Sequence, residues 1–152
     1  MNFKRIHGSE VLAGFGGLFL LLLMFFDWYS ASGVGSVSAW QAYSFIDIVL
    51  ALAAVFAILL PLLVLTQSSP SVSLVASVVS TTASIVATLL IVIRILDPAN
   101  QYEIEDVAVG AYLGLAASML MTVGSWLAMH RESDTIERND DDIGETRPAP
   151  EP

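Results

Sequence analysis

The chain contains no cysteine, and Lys and Arg together supply only six of its 152 residues. Without cysteine there is no disulfide framework, thiolate metal site or sulfur nucleophile, and the redox compartment is left open. Fifteen acidic residues against six basic ones give a net charge of -9, which sets aside nucleic acid and anionic lipid headgroups as partners, since both need clustered cations. Histidine is scarce too. His7 and His130 stand at opposite ends of the chain with no carboxylate or second histidine at metal-ligand spacing, and read as interfacial polar residues. No serine sits in a strand-turn-helix elbow, so the reading is of a non-enzyme without a cofactor. Glu103, Glu105 and Asp106 fit better as negative charge at a helix N-terminus than as a weak cation site.

What the chain has in abundance is apolar sequence. It is 55% hydrophobic and 14% charged, with a mean hydropathy of +0.71, a composition that belongs in a bilayer. Charges and prolines divide it into four runs, Val11 to Phe26, Ile48 to Thr66, Ser71 to Ile93 and Val107 to Met129. With interfacial flanks, each approaches the roughly 20 residues a transmembrane helix needs. The first run also has the layout of a signal peptide, but Phe25, Phe26, Asp27 and Trp28 resemble a membrane exit more than a cleavage region. The expected fold is therefore all-α, an integral membrane bundle of four transmembrane helices over residues 11–129, between a segment 1–10 and a disordered acidic tail 130–152.

Lys4 and Arg5 precede the first run, and Arg131, Arg138 and Arg147 follow the last, which places both termini in the cytoplasm. The loop 28–45 and the shorter one 96–106 then lie outside, and "QSSP", Gln67 to Pro70, makes a tight inner turn between antiparallel neighbours. Trp28, Tyr29, Trp40, Tyr43 and Tyr102 are expected in the outer aromatic belt and Trp126 in the inner one. Ser38 is placed to cap a short surface helix, although the same residues could simply extend the second span. Pro61 predicts a bend in that span, with a neighbouring helix meeting the freed carbonyl.

Small residues recur at steps of four and three. Ser73, Ser77, Ser80, Ser84, Ala87, Ile91 and Arg94 make one seam on the third span, and Gly110, Gly114, Ala117, Met121, Gly124 and Ala128 make another on the fourth. Facing seams would bring the Gly110 end of the fourth span to the Arg94 end of the third. Asp47 heads a similar row, Ala51, Ala54, Ile58 and Pro61, on the second.

"VIRILDP", Val92 to Pro98, ends an apolar run in a cation. In one reading Arg94 snorkels to the interface with Asp97 one turn away as its exposed partner. In the other it turns inward toward Asp47 or Asp27, as a lock between helices or the wall of a polar vestibule.

With "FDWYS", "SAWQAYSFID" and "RILDP", the stretch Val11 to Met129 resembles a group of small, uncharacterised four-span membrane proteins of actinobacteria. The resemblance implies a multi-pass protein of the cytoplasmic membrane and carries no activity or site residues. Two functions follow as expectations. The first is a structural or accessory protein acting through helix contacts with itself or another membrane protein, with the lipid bilayer around it. The second is a small transport or channel subunit in which Asp27, Asp47 and Arg94 line an outward-facing vestibule.

Overall fold

The structure, a computed structural model, describes residues 8–33, 35–42, 44–66, 70–98 and 104–145. The fold is mostly helical, at 82%. Four long helices, α1 (Gly8–Leu23), α3 (Ser44–Thr66), α4 (Pro70–Leu96) and α5 (Val109–Glu145), are joined by a short helix α2 (Ala39–Ala42) and three strands. Within them, Phe45–Leu63, Leu74–Leu96 and Val109–Arg131 are long and apolar enough to cross a membrane, whereas α1 is a shorter apolar helix of 16 residues.

The long helices form a ring in which α1 and α4 each pack against both α3 and α5. Small residues set these contacts. A Cβ on Gly16 would stand 2.6 Å from the Met121 amide nitrogen and 3.0 Å from the Ala117 carbonyl, and one on Gly17 would stand 2.6 Å from the Ala54 carbonyl. Both glycines are therefore sites of backbone contact that no side chain could share. Gly14 lies against the Pro61 ring and, at 3.7 Å from its Cβ position, the Ala57 carbonyl. That carbonyl is the acceptor that a proline at 61 leaves unused in its own helix. Large apolar side chains such as Leu52, Phe56, Val79 and Leu120 point outward, as expected of helices bathed in hydrocarbon.

The all-α expectation fails in the loops at one end of the ring. There β1 (Asp27–Ala31), β2 (Gly35–Ser38) and β3 (Ile104–Val107) form an antiparallel sheet in the order β2-β1-β3. Gly33 and Gly35, at φ of +79° and +86°, take the left-handed backbone at the β1–β2 hairpin. Strands this short, without sustained alternation, leave little trace in the sequence; pairing between two separate loops makes them stable.

Ser38 stands just before α2, where its amide donates to Gln41 Oε1 at 3.1 Å, one half of a capping box, while its hydroxyl turns to the same Gln41 oxygen and not to a helix amide; α2 ends at Ala42 before α3 starts at Ser44. Tyr43, Tyr102, residues 67–69, where a tight turn is expected, and the ends 1–7 and 146–152 lie outside the described residues. The tail departs from expectation, because α5 continues unbroken to Glu145. Extending an existing helix avoids the cost of nucleation, and Asp134 and Arg138 are spaced one turn apart in the favourable order.

Candidate functional site

The junction between helices and sheet concentrates the buried polar chemistry. Trp28 and Tyr29 are consecutive in β1, yet they are 2% and 0% exposed. A regular strand would send one of them outward. The β1–β2 register shifts between Asp27 and Tyr29, and this bulge turns both side chains into the core.

Trp28 ties three elements together. Its indole N–H donates to the Leu23 carbonyl at 2.7 Å, joining the Phe26 amide, which reaches the same oxygen at 3.0 Å just past the end of α1. Its own carbonyl accepts the Ala108 amide at 2.8 Å, just before α5 begins. Its ring fills the notch made by Gly110 and Gly114: a Cβ at Gly114 would sit 2.5 Å from Trp28 Cζ2, and one at Gly110 would strike the Asp27 carbonyl and lie 3.1 Å from Trp28 Cδ1. The G-x-x-x-G step therefore seats a tryptophan from β1, and the atoms nearest to it are not those of Arg94. Trp28 and Tyr29 are accordingly core residues and not belt aromatics. The belt reading suits Trp40, exposed and 5.9 Å centroid to centroid from Phe25, and the exposed Trp126.

Asp47 is 0% exposed in the first turn of α3, where the helix dipole favours a carboxylate. Arg94 is half-buried in the last turn of α4, where the dipole favours a cation. Asp27 and Asp97 are exposed. The four charges expected at this end thus separate into an inner set, Asp47 with Arg94, and an outer set. Helix rise places Arg94 roughly 7 Å farther than Asp47 along the antiparallel α3–α4 pair.

A hydroxyl seam runs below this junction between α4 and α5. Ser80 and Ser125 oxygens are 2.9 Å apart, and those of Thr88 and Thr122 are 3.1 Å apart. Ser77, Ser80, Ser84 and Ala117 of the expected seams are buried, as are Gly110 and Gly114, while the Ser73 side chain lies outside the described set. α5 divides its faces: its glycines meet α1 and Trp28, whereas Thr122 and Ser125 meet α4. Several hydroxyls, including those of Thr81 and Ser118, also donate to carbonyls three or four residues back.

At the other end of the ring, Glu10 is 3% exposed in the first turn of α1, with Ser9 also buried. Composition gave no hint of this; the signal was an acid immediately before the apolar run that starts at Val11. Among the described residues no group of three or more His, Cys, Asp and Glu could hold a metal ion. His130 donates from Nδ1 to the Trp126 carbonyl at 3.2 Å and packs edge-on against that indole.

Comparison with protein-family models, curated proteins and solved structures finds no match to this chain.

Proposed function

We propose that the chain is a four-span protein of the cytoplasmic membrane, with both termini cytoplasmic, that works without catalysis by holding a small rigid sheet at the outer surface for contact with a membrane-protein partner or a second copy. The observation that carries this reading is the pairing of β1 with β3. One strand follows α1 and the other precedes α5, so a single sheet gathers both loops at one end of the ring. Loops that share an end make the helices alternate in direction, and α1 then crosses with the other three. Its 16 residues span about 24 Å, and the apolar Met24, Phe25 and Phe26 extend it toward the roughly 30 Å of a hydrocarbon core. The excess of Lys and Arg at the two termini gives the orientation.

In this reading Asp47 and Arg94 are a lock that fixes the register of α3 on α4 beneath the sheet, and Trp28 is the key that fixes the sheet on α5. A transport subunit is the second reading. What favours it is the complete burial of Asp47, because ionisable groups within apolar helices commonly mark ion or substrate paths.

The absence of cysteine makes the test direct. Ser36→Cys in the hairpin should react with a membrane-impermeant maleimide added to intact cells, and Arg138→Cys only after permeabilisation. Labelling of both from outside, or the reverse pattern, would overturn the topology. If the topology holds, a double change, Asp47→Arg with Arg94→Asp, separates the two functions. A lock should regain stability and partner contact together, whereas a vestibule shaped for one ligand should regain stability alone.

A further inference from the structure

The apolar surface of the ring is not equally tall all the way round. On α4 the exposed apolar side chains run from Val75 to Leu96, about 31 Å of helix and close to the roughly 30 Å of a hydrocarbon core. On α1 they run from Val11 to Phe26, about 22 Å by the same rise per residue. The two helices stand on opposite sides of the ring, since each packs against both α3 and α5.

α1 cannot make up the difference by sliding. Its backbone touches α5 at Gly16 and α3 at Gly17, with no room for a methyl group at either contact, so its depth against both neighbours is fixed. At its outer end the exposed, charged Asp27 follows Phe26 directly and opens β1, whose Trp28 is seated in the glycine notch of α5. At its inner end no exposed apolar side chain precedes Val11 among the described residues. Tilting does not help either, because leaning the packed ring lowers the height of every helix and leaves α1 shorter still. A stretch that is too short is met by a thinner bilayer. We propose that the bundle thins the bilayer along its α1 face, gathering lipids of shorter acyl chain there, while α4 sits in a layer of ordinary thickness. The proposal rests on the reading that α1 crosses the membrane with the other three helices.

The test uses the full chain in phosphatidylcholine vesicles containing brominated lipid, with acyl chains from fourteen to twenty-two carbons. Phe19→Trp and Ile85→Trp, both exposed near the middle of their belts, report the α1 and α4 faces one at a time in a chain whose Trp40 and Trp126 are replaced by Phe. Phe15→Trp is a second reporter on α1, and the buried Trp28 gives the same background in all of them. Competition between brominated and plain lipids at each reporter gives the relative affinity for each chain length. At the α1 reporters the shortest chains should be preferred over the longest by about threefold or more, and at the α4 reporter that preference should be absent or reversed. Gly8→Leu, at an exposed position with open space around it, lengthens the α1 belt by about 4–5 Å and should move the α1 preference toward longer chains without moving that of α4. The same preference on both faces would overturn the proposal. So would α1 reporters that no brominated chain quenches beside a quenched Ile85→Trp, which would show the α1 face covered by protein, a second copy included. Absence of quenching at every reporter would refute the membrane reading itself.

Discussion

Gly114→Ala is a sensitive probe of the Trp28 key, because its effect should change sign with the residue at position 28. In the parent chain the new methyl would lie 2.5 Å from Trp28 Cζ2 and 2.8 Å from Cη2. Overpacking of this kind costs about 1–3 kcal/mol. Alanine in place of glycine in a helix returns up to about 1 kcal/mol, so the net expectation is a loss of roughly 0–2 kcal/mol. Trp28→Phe removes the six-membered half of the indole that carries both clashing atoms, and removes the N–H donated to Leu23. It should therefore be destabilising by itself, by about 1–3 kcal/mol from lost packing and one lost hydrogen bond, the Leu23 carbonyl keeping the Phe26 amide as its donor. In that background Gly114→Ala has open space and should stabilise by up to about 1 kcal/mol. The coupling energy of the cycle is then roughly 1–3 kcal/mol, well beyond the few tenths expected of independent sites. The assay is reversible unfolding of the four proteins in mixed micelles, followed by far-UV circular dichroism so that loss of the tryptophan does not alter the probe. Gly110→Ala is the internal control. Its methyl would strike the Asp27 carbonyl, a backbone atom that Trp28→Phe leaves in place, so it should destabilise in both backgrounds. Additive effects of Gly114→Ala and Trp28→Phe would refute the seating of the indole against this glycine.

Three further outcomes are open to measurement. Ser125→Ala should destabilise the α4–α5 pair by about 0.6 kcal/mol and by no more than about 1.7, while Thr82→Ala, whose exposed hydroxyl bonds only its own helix, should stay within about 0.5 kcal/mol of the parent; equal unfolding midpoints for both variants would remove the hydroxyl seam as a contact. Arg94→Ala should cost about 1–3 kcal/mol by leaving Asp47 without its proposed counter-charge, and Asp97→Asn, at an exposed site, well under 1 kcal/mol; equal tolerance in the same assay would make Arg94 a snorkelling arginine. Asp134→Pro should end α5 soon after Met129, lowering the helical circular dichroism signal while the unfolding midpoint stays put; a lowered midpoint would mean that residues 130–145 support the bundle.

The existence of the four long helices and the burial of α4 residues at steps of four and three were legible from local sequence, because each depends on composition or helical period, whereas the run of α5 past Met129 and the choice between a short helix after Ser38 and a longer second span were not. Apolar runs bounded by charges and prolines mark the four long helices, and α4 begins at its proline as that rule requires, although α5 does not stop at the charges that follow its run. The sheet was not legible. Its strands are four or five residues long, and the pairing that joins the two loops, β1 with β3, links segments more than 70 residues apart in the chain. The destination of the glycine seam was hidden for the same reason. Period alone shows that Gly110 and Gly114 share a face of α5, but a helix has several neighbours, and only β1–β3 pairing brings Trp28 into that notch. A one-residue bulge then reverses the side on which Trp28 would otherwise point, turning a residue that reads as a lipid-facing aromatic into the one on which α1, the sheet and α5 converge. The depth of Asp47 likewise belongs to tertiary structure: sequence places it in the first turn of α3, and the packing of α3 among its neighbours buries it completely.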